Sequence, residues 1–313
     1  MKNKLFTVAI CIPAYNEQQN IDSILRQILS QEQTGFVIEK IIVASDGSTD
    51  DTVKIAREYE HRGVNVIEGK DNRGQNYRQN EVISETASDI LVLLNADLIL
   101  GDKNVISKLI KPIQDGADLT AQWAVPLKHV TFLERILHAG FKMKYYIYTH
   151  HKNGNNIYTC VGHMRALSRK FYSNVVFPLV SEGEDQYLYF SCISGGYKYK
   201  YIHEKNSFFK LPDTFSDYKK YAKRIFHTQK RYKDSFDPKF VTLERHLPLK
   251  ILLKGYLKTF IKDPFYLLLY TLLHMFMLRW THRQPMSLNH VFETSESTKK
   301  VKSKNHHNRG VVI

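Results

Sequence analysis

Within the first 125 residues, short apolar runs alternate with segments whose apolar side chains recur at helical spacing. This alternation constrains the fold more than any other feature of the chain. Residues 6–12, 39–44, 64–68, 89–94 and 119–123 read as strands. Between them, 18–31 places Ile21, Ile24, Leu25, Ile28 and Leu29 on one helical face. Thr49 or Asp50 is placed to cap a helix reaching about residue 60, and 75–86 and 103–114 complete the helical set. Strands that alternate with helices of this length predict βαβ units, hence an α/β fold with a mostly parallel sheet flanked by helices.

After Pro126 the pattern changes. Residues 130–150 read as a long, aromatic, basic amphipathic helix. A strand is expected over 157–161, a loop and helix over 182–196, and a short strand over 198–202. The charge is divided just as unevenly. Residues 1–213 hold 25 basic and 24 acidic side chains, a net of +1. Residues 214–313 hold 20 basic and 7 acidic, a net of +13. A uniformly basic nucleic-acid-binding domain is excluded by this asymmetry, and no recognition motif of that class is present. The expected organisation is a domain over 1–213, divided at 125, then basic helices over 214–286 and a disordered basic tail over 287–313.

Residues 214–262 carry 13 basic and 4 acidic side chains interleaved with apolar ones, directly before the apolar run 265–278. That pattern suits helices lying on an anionic membrane surface. The 14-residue run reaches about 21 Å as a helix, short of the roughly 30 Å hydrocarbon core, so it lies in the interface, spans a thinned bilayer or packs in a core. Lys2 and Lys4 before the first apolar run mimic a signal peptide, but Pro13, Tyr15, Asn16 and Glu17 stand where small residues mark cleavage. A buried first strand is the preferred reading. Cys11, Cys160 and Cys192 form neither a disulfide framework nor a zinc site, which fits a reducing, cytosolic setting.

In open parallel sheets, ligands bind beyond the carboxyl ends of the strands. Polar residues stand at four such ends: Tyr15-Asn16-Glu17, Ser45-Asp46-Gly47-Ser48-Thr49-Asp50, Asp71-Asn72-Arg73-Gly74, and Asn95-Ala96-Asp97. Each alone has an ordinary reading as a turn or a helix cap. Together they converge on one edge.

Ile12-Pro13-Ala14-Tyr15-Asn16-Glu17, followed by Ser45-Asp46-Gly47-Ser48-Thr49-Asp50-Asp51-Thr52, resembles the start of an inverting family 2 glycosyltransferase with the GT-A fold. Asn72-Arg73-Gly74 with Asn80, and Asn95-Ala96-Asp97, resemble that family's next blocks, and the likeness extends from residue 6 to about 235. It implies that Pro13 and Tyr15 line the base pocket of a nucleotide sugar, with Tyr15 stacked on the ring. Asp46 would accept a base N–H, which uridine offers, Glu17 would lie near ribose or base, and Gly74 and Asn95 would belong to the same nucleotide site. Asp97 would bind Mg2+ or Mn2+ bridging the two phosphates.

Two positions depart from the pattern. Asn95 replaces the first metal-site aspartate, leaving Asp97 as the expected acidic ligand. Gln75 replaces a basic residue, a charge that Arg73 or Arg78 would supply instead.

Ser181-Glu182-Gly183-Glu184-Asp185 resembles the family's Glu-Asp motif, which implies that Asp185 is the base deprotonating the acceptor hydroxyl. Alone, these acids would read as a helix N-terminus. Glu184 and His163 are candidate acceptor contacts, His163 alternatively a buried structural histidine. The region 227–232 is similar to a diphosphate-clamping motif of membrane-bound relatives, which makes Arg224, Lys230 or Arg231 a diphosphate contact or simply part of a solvated basic face.

The expected function is therefore inverting transfer of a sugar from a nucleotide-diphosphate donor, with UDP-sugar the expected class, to a hydroxyl of a lipid-linked or cell-surface glycan at the cytoplasmic membrane face. The rivals are an inactive GT-A membrane scaffold, whose support is Asn95 and the altered basic motif, and another nucleotide-binding α/β transferase, which would want a Gly/Lys-rich phosphate loop after the first strand.

Overall fold

The computed structural model describes residues 5–179, 183–228, 235–284 and 296–299. Seven strands form the central sheet: β1 (Phe6–Ala14), β2 (Phe36–Asp46), β3 (Val64–Gly69), β4 (Ile90–Leu94), β6 (Leu119–Gln122), β8 (Met164–Ser168) and β9 (Tyr199–Ile202). Their order is β3-β2-β1-β4-β8-β6-β9. All neighbours run parallel except β8, which is antiparallel to both β4 and β6. A small second sheet joins β5 (Ile99–Leu100), β10 (Ser207–Phe209) and β7 (Val125–Pro126).

Helices α1 (Ile21–Leu29), α2 (Thr52–Arg57), α3 (Gln75–Glu85) and α4 (Val105–Gln114) fill the crossovers. In α1 the apolar positions 21, 24, 25 and 28 are all buried against the sheet. Both faces of β1 are buried: Val8, Ile10 and Ile12 belong to one apolar core, Ala9 and Cys11 to the other. A continuous apolar run is what a central parallel strand requires.

Beyond β7 come α5 (Phe132–His150), α6 (Arg169–Tyr172) and α7 (Glu184–Ser194), then α8 (Phe215–Thr228), α9 (Pro238–Arg245), α10 (Leu249–Lys262) and α11 (Pro264–His282). α5 starts at a capping box, with Thr131 and Glu134 each satisfying the other's backbone N–H. It packs on α11, where Gly140 admits the Tyr270 ring, and a small core of Leu137, Leu211, Tyr218, Ala222 and Met277 joins α5, α8 and α11.

Three expectations need correction. Residues 157–161 are not a strand: Asn156 donates to the Tyr148 and His151 carbonyls, and Thr159 Oγ1 to the Asn156 carbonyl, winding the segment into a turn. The helix expected to reach residue 60 ends at Arg57, and a short 3-10 turn follows over Glu60–Arg62. The tail is not structureless throughout, because residues 296–299 form a turn packed on the α/β body, with Ser297 and Lys299 buried. The rest of 285–313 lies outside the described residues.

Candidate active site

The carboxyl ends of β1, β2 and β4 open into a cleft of about 230 Å³. It is lined by Pro13, Tyr15, Glu17, Asp46, Gly74, Asn95, Asp97 and His163, among others. The expected nucleotide and metal residues are thus brought together.

The loop after β1 is held by the loop after β2. Asn16 sits in the left-handed region at φ 54°, a conformation that asparagine tolerates better than most residues. Its Oδ1 accepts from the Thr49 N–H at 2.8 Å, and its own N–H donates to Ser48 Oγ at 3.1 Å. The next N–H groups, of Glu17 and Gln18, donate to Thr52 Oγ1 (2.7 Å) and Asp50 Oδ2 (3.1 Å). The hydroxyl-rich run 48–52 is therefore a brace that presents Tyr15 and Glu17 to the cleft. Gly47 is required where it stands: at φ +71°, a Cβ there would lie 2.8 Å from the Asn72 nitrogen.

Asp46 is 5% exposed. Its Oδ1 accepts from the Arg73 N–H and from Arg78 Nε, both at 2.9 Å, and its Oδ2 from the Gly74 N–H at 2.7 Å. Arg78, itself buried, also pairs with Glu81 at 2.7 Å and donates to the Asp71 carbonyl at 3.0 Å. Between Arg73 and Arg78, Arg78 is thus the residue committed to Asp46, while Arg73 lies over the Tyr77 ring at 3.7 Å. Arg78→Leu strips a buried carboxylate of its cation and should cost about 3 kcal/mol in urea unfolding; a loss under about 0.5 kcal/mol would remove this pair from the site's framework.

Asp97 and Glu17 form an acidic pair. Burial raises the Asp97 pKa, opposed by the nearby charges of Arg224 and Lys299. Burial, then the Asp97 charge, pushes Glu17 up to about 8, with Lys299 opposing. Among the described residues, no group of three or more His, Cys, Asp or Glu side chains gathers as a ready-made metal cage. Mg2+ and Mn2+ sites of this class need one or two carboxylates and take the rest from phosphates and water. A hard-oxygen pair that is destabilised by its own like charge fits such an ion.

Asp185 stands in the first turn of α7, after Gly183 in the left-handed conformation. Its Oδ1 accepts from the Gln186 N–H at 2.7 Å. Burial, then the neighbouring Glu184, pushes its pKa up to about 6, while Arg165 and Arg224 hold it from rising further. Glu184 does not point at open solvent: Oε1 accepts from Gln75 Nε2 at 3.3 Å and from Arg165 at 3.4 Å. His163 lies against Phe209 at 4.6 Å between ring centres, its carbonyl accepts from the Asn95 N–H at 3.1 Å, and burial pushes its pKa down to about 3. It is a neutral wall residue at the cleft. Asn80 pins the chain that leads towards α7, exchanging hydrogen bonds of 2.8 and 2.9 Å with the Phe177 backbone.

From α8, Tyr221 and Arg224 line the cleft, joined by Phe209, Lys210, Thr298 and Lys299. Of the three basic candidates, Arg224 is at the cleft; Lys230 and Arg231 lie outside the described residues, as do Ser181 and Glu182. The boundary at residue 213 therefore does not separate the site from the basic helices. Phe209, Tyr221 and Lys299 escaped the sequence reading, because no local pattern marks residues that reach a cleft from β10, α8 and the tail.

The family model for glycosyl transferase family 2 matches residues 9–176, and the chain belongs to that family. Its fold is the GT-A fold of glycosyltransferases. In sequence it is 29% identical over 110 residues to 4,4'-diaponeurosporenoate glycosyltransferase of Staphylococcus aureus (strain bovine RF122 / ET3-1), covering 34% of this chain and 28% of that protein. In structure it is similar to the mannosyltransferase PcManGT of Pyrobaculum calidifontis in complex with GDP-Man and Mn2+, with a TM-score of 0.58, 15% identity, and coverage of 90% and 76% of the two chains. It is also similar to S. aureus TarS 1-349 in complex with UDP, with a TM-score of 0.50, 15% identity, and coverage of 72% and 66%.

Proposed function

We propose that the chain transfers a sugar from a UDP-sugar to an acceptor hydroxyl with inversion. The observation that carries the donor reading is the state of Asp46. A carboxylate offers about four acceptor positions, and among the described residues three are taken, by Arg73, Gly74 and Arg78. One position remains at the cleft. Uracil presents one ring N–H, whereas guanine presents an N–H and an adjacent amino group. Tyr15 supplies the ring for stacking.

Asp185 accepts the acceptor's hydroxyl proton as that oxygen attacks the anomeric carbon and the bond to the diphosphate breaks. A base with a pKa near 6 is ionised at neutral pH and still takes a proton late in the step. Arg224 and Asp97 belong to the leaving-group side. Asp97, with Glu17 beside it and the Asn95 amide at the same edge, would hold Mg2+ or Mn2+. That ion would supply Lewis-acid stabilisation of the departing diphosphate.

A thermal-shift screen of UDP-, GDP- and dTDP-sugars with and without Mn2+ tests the reading. A ligand present at about a hundred times its Kd adds about 2.7 kcal/mol. Stabilisation by UDP-sugars above the others is expected; no response to any nucleotide sugar would favour an inactive scaffold.

We infer that the enzyme works on an anionic membrane surface, with a lipid-linked or cell-surface glycan as acceptor and the cytoplasmic face as the setting. No described helix is long and apolar enough to cross a membrane. Instead α10 exposes Leu249, Leu253, Leu257 and Ile261 along one stripe, and α11 exposes Phe265, Leu268, Leu272 and Phe276. α10 carries four lysines and no acid. Apolar stripes flanked by lysine suit an interfacial helix. Replacing Leu253, Leu257 and Ile261 together by Ser should lower partition onto phosphatidylglycerol vesicles by about a hundredfold, at about 1 kcal/mol or more per side chain. Unchanged co-sedimentation would remove this surface as the anchor.

A further inference from the structure

The turn 296–299 lies across the cleft. The Ser297 N–H donates to Asp217 Oδ2 at 2.9 Å, and Ser297 Oγ accepts from the Asp213 N–H at 3.4 Å, which ties the turn to the start of α8. Two residues on, Lys299 Nζ donates to the carbonyls of Tyr15 (2.6 Å) and Asn16 (3.0 Å). It stands 3.7 Å from Glu17 Oε1 and 5.5 Å from the centre of the Tyr15 ring. Lys299 is 8% exposed, and with Thr298 it lines the same cleft as Asp46 and Asp97.

An ammonium is costly to bury unless it is paired, and this one is paired with the donor loop itself. It carries three N–H donors. Two are used on the loop carbonyls, and the carboxylate of Glu17 lies beyond hydrogen-bond length, so among the described residues the third remains for an incoming oxygen. The cleft also needs positive charge. A diphosphate must enter beside Glu17 and Asp97, and Asn95 contributes no charge to a metal ion. Of the other basic side chains at the cleft, Lys210 is held by Asp213 at 2.7 Å, and the charge of Arg224 acts on Asp97 and Asp185.

We propose that Lys299 is a donor-binding residue, carried into the cleft by a strap at 296–299, and that its ammonium shares neutralisation of the donor's diphosphate with the divalent ion. The inference rests on the donor reading above. Seating of Ser297 on Asp217 fixes where the ammonium arrives, which makes Ser297 a positioning residue.

The test is calorimetric titration of UDP into the full-length protein, as wild type, Lys299→Met and Lys299→Arg, once in EDTA and once in Mn2+. A hydrogen bond from a charged donor is worth about tenfold or more in affinity. Lys299→Met should therefore weaken UDP by at least about tenfold in EDTA and by less in Mn2+, and Lys299→Arg should restore most of the loss. A simple packing role would lower affinity equally in both conditions and overturn the proposal. Unchanged or tighter binding by Lys299→Met would overturn it as well, because the lysine would then be filler or a plug. Wild-type protein that binds no UDP in either condition would instead refute the donor reading on which the proposal stands.

Discussion

Replacing Asp185 by Asn should lower transfer by about a thousandfold while leaving UDP affinity unchanged, since a positioned general base contributes about a hundredfold to ten-thousandfold. The substitution keeps the shape of the side chain and the first turn of α7. It removes only the capacity to take a proton. Asp185 is absent from the lining of the donor cleft, yet the charge of Arg224, which does line it, bears on the carboxyl. The pH dependence carries the same information. Only ionised Asp185 accepts a proton, and burial with Glu184 beside it pushes its pKa up to about 6. In the wild type, kcat/KM should fall about tenfold per pH unit below about 6 and level off above it; a rate independent of pH between 5 and 7, or a fully active Asn variant, would remove Asp185 as the base.

Asp97→Ala should erase the metal dependence of donor binding. The acidic pair at this edge is destabilised by burial and, at Glu17, by the Asp97 charge, and a divalent ion held there would relieve both. Changing even a residue that only supports a metal ligand commonly costs tenfold to a hundredfold in metal affinity, so losing the direct carboxylate should cost at least about tenfold. Calorimetric UDP affinity should then be the same with Mn2+ as with EDTA. A variant that keeps its Mn2+ enhancement would place the ion elsewhere. Relief of the pair also predicts that the Glu17 pKa, pushed up to about 8 by burial and then by the Asp97 charge, falls in Asp97→Ala but stays above the ordinary carboxylate range because burial remains, readable by NMR titration.

The α/β half of the fold was legible because each of its signals is local. The strand of 6–12, the helix of 18–31 and the polar residues at the strand ends are consecutive in sequence, and parallel topology brings those ends to one edge. The roles of the single residues were less legible. Thr49 and Asp50 look like helix caps, and Asp50 does accept the Thr52 N–H at 3.0 Å, but Ser48, Thr49, Asp50 and Thr52 also brace the loop of Asn16 and Glu17, a partnership across more than 30 residues. Strand β8 escaped notice because Met164–Ser168 contains Arg165, whose burial in a strand no alternation rule anticipates. Lys299 was hidden in a basic tract without periodicity, which composition reads as disorder, and its partners lie 283 and 284 residues away. Local pattern sets where the cleft forms, and long-range polar contacts set what closes it.

The stereochemistry of turnover tests the central claim most directly. One base and one in-line displacement invert the anomeric carbon. Proton NMR during consumption of a UDP-α-sugar should therefore show the β-configured product first. A product that appears in the α configuration would contradict single displacement by Asp185 and the reading of the site built on it.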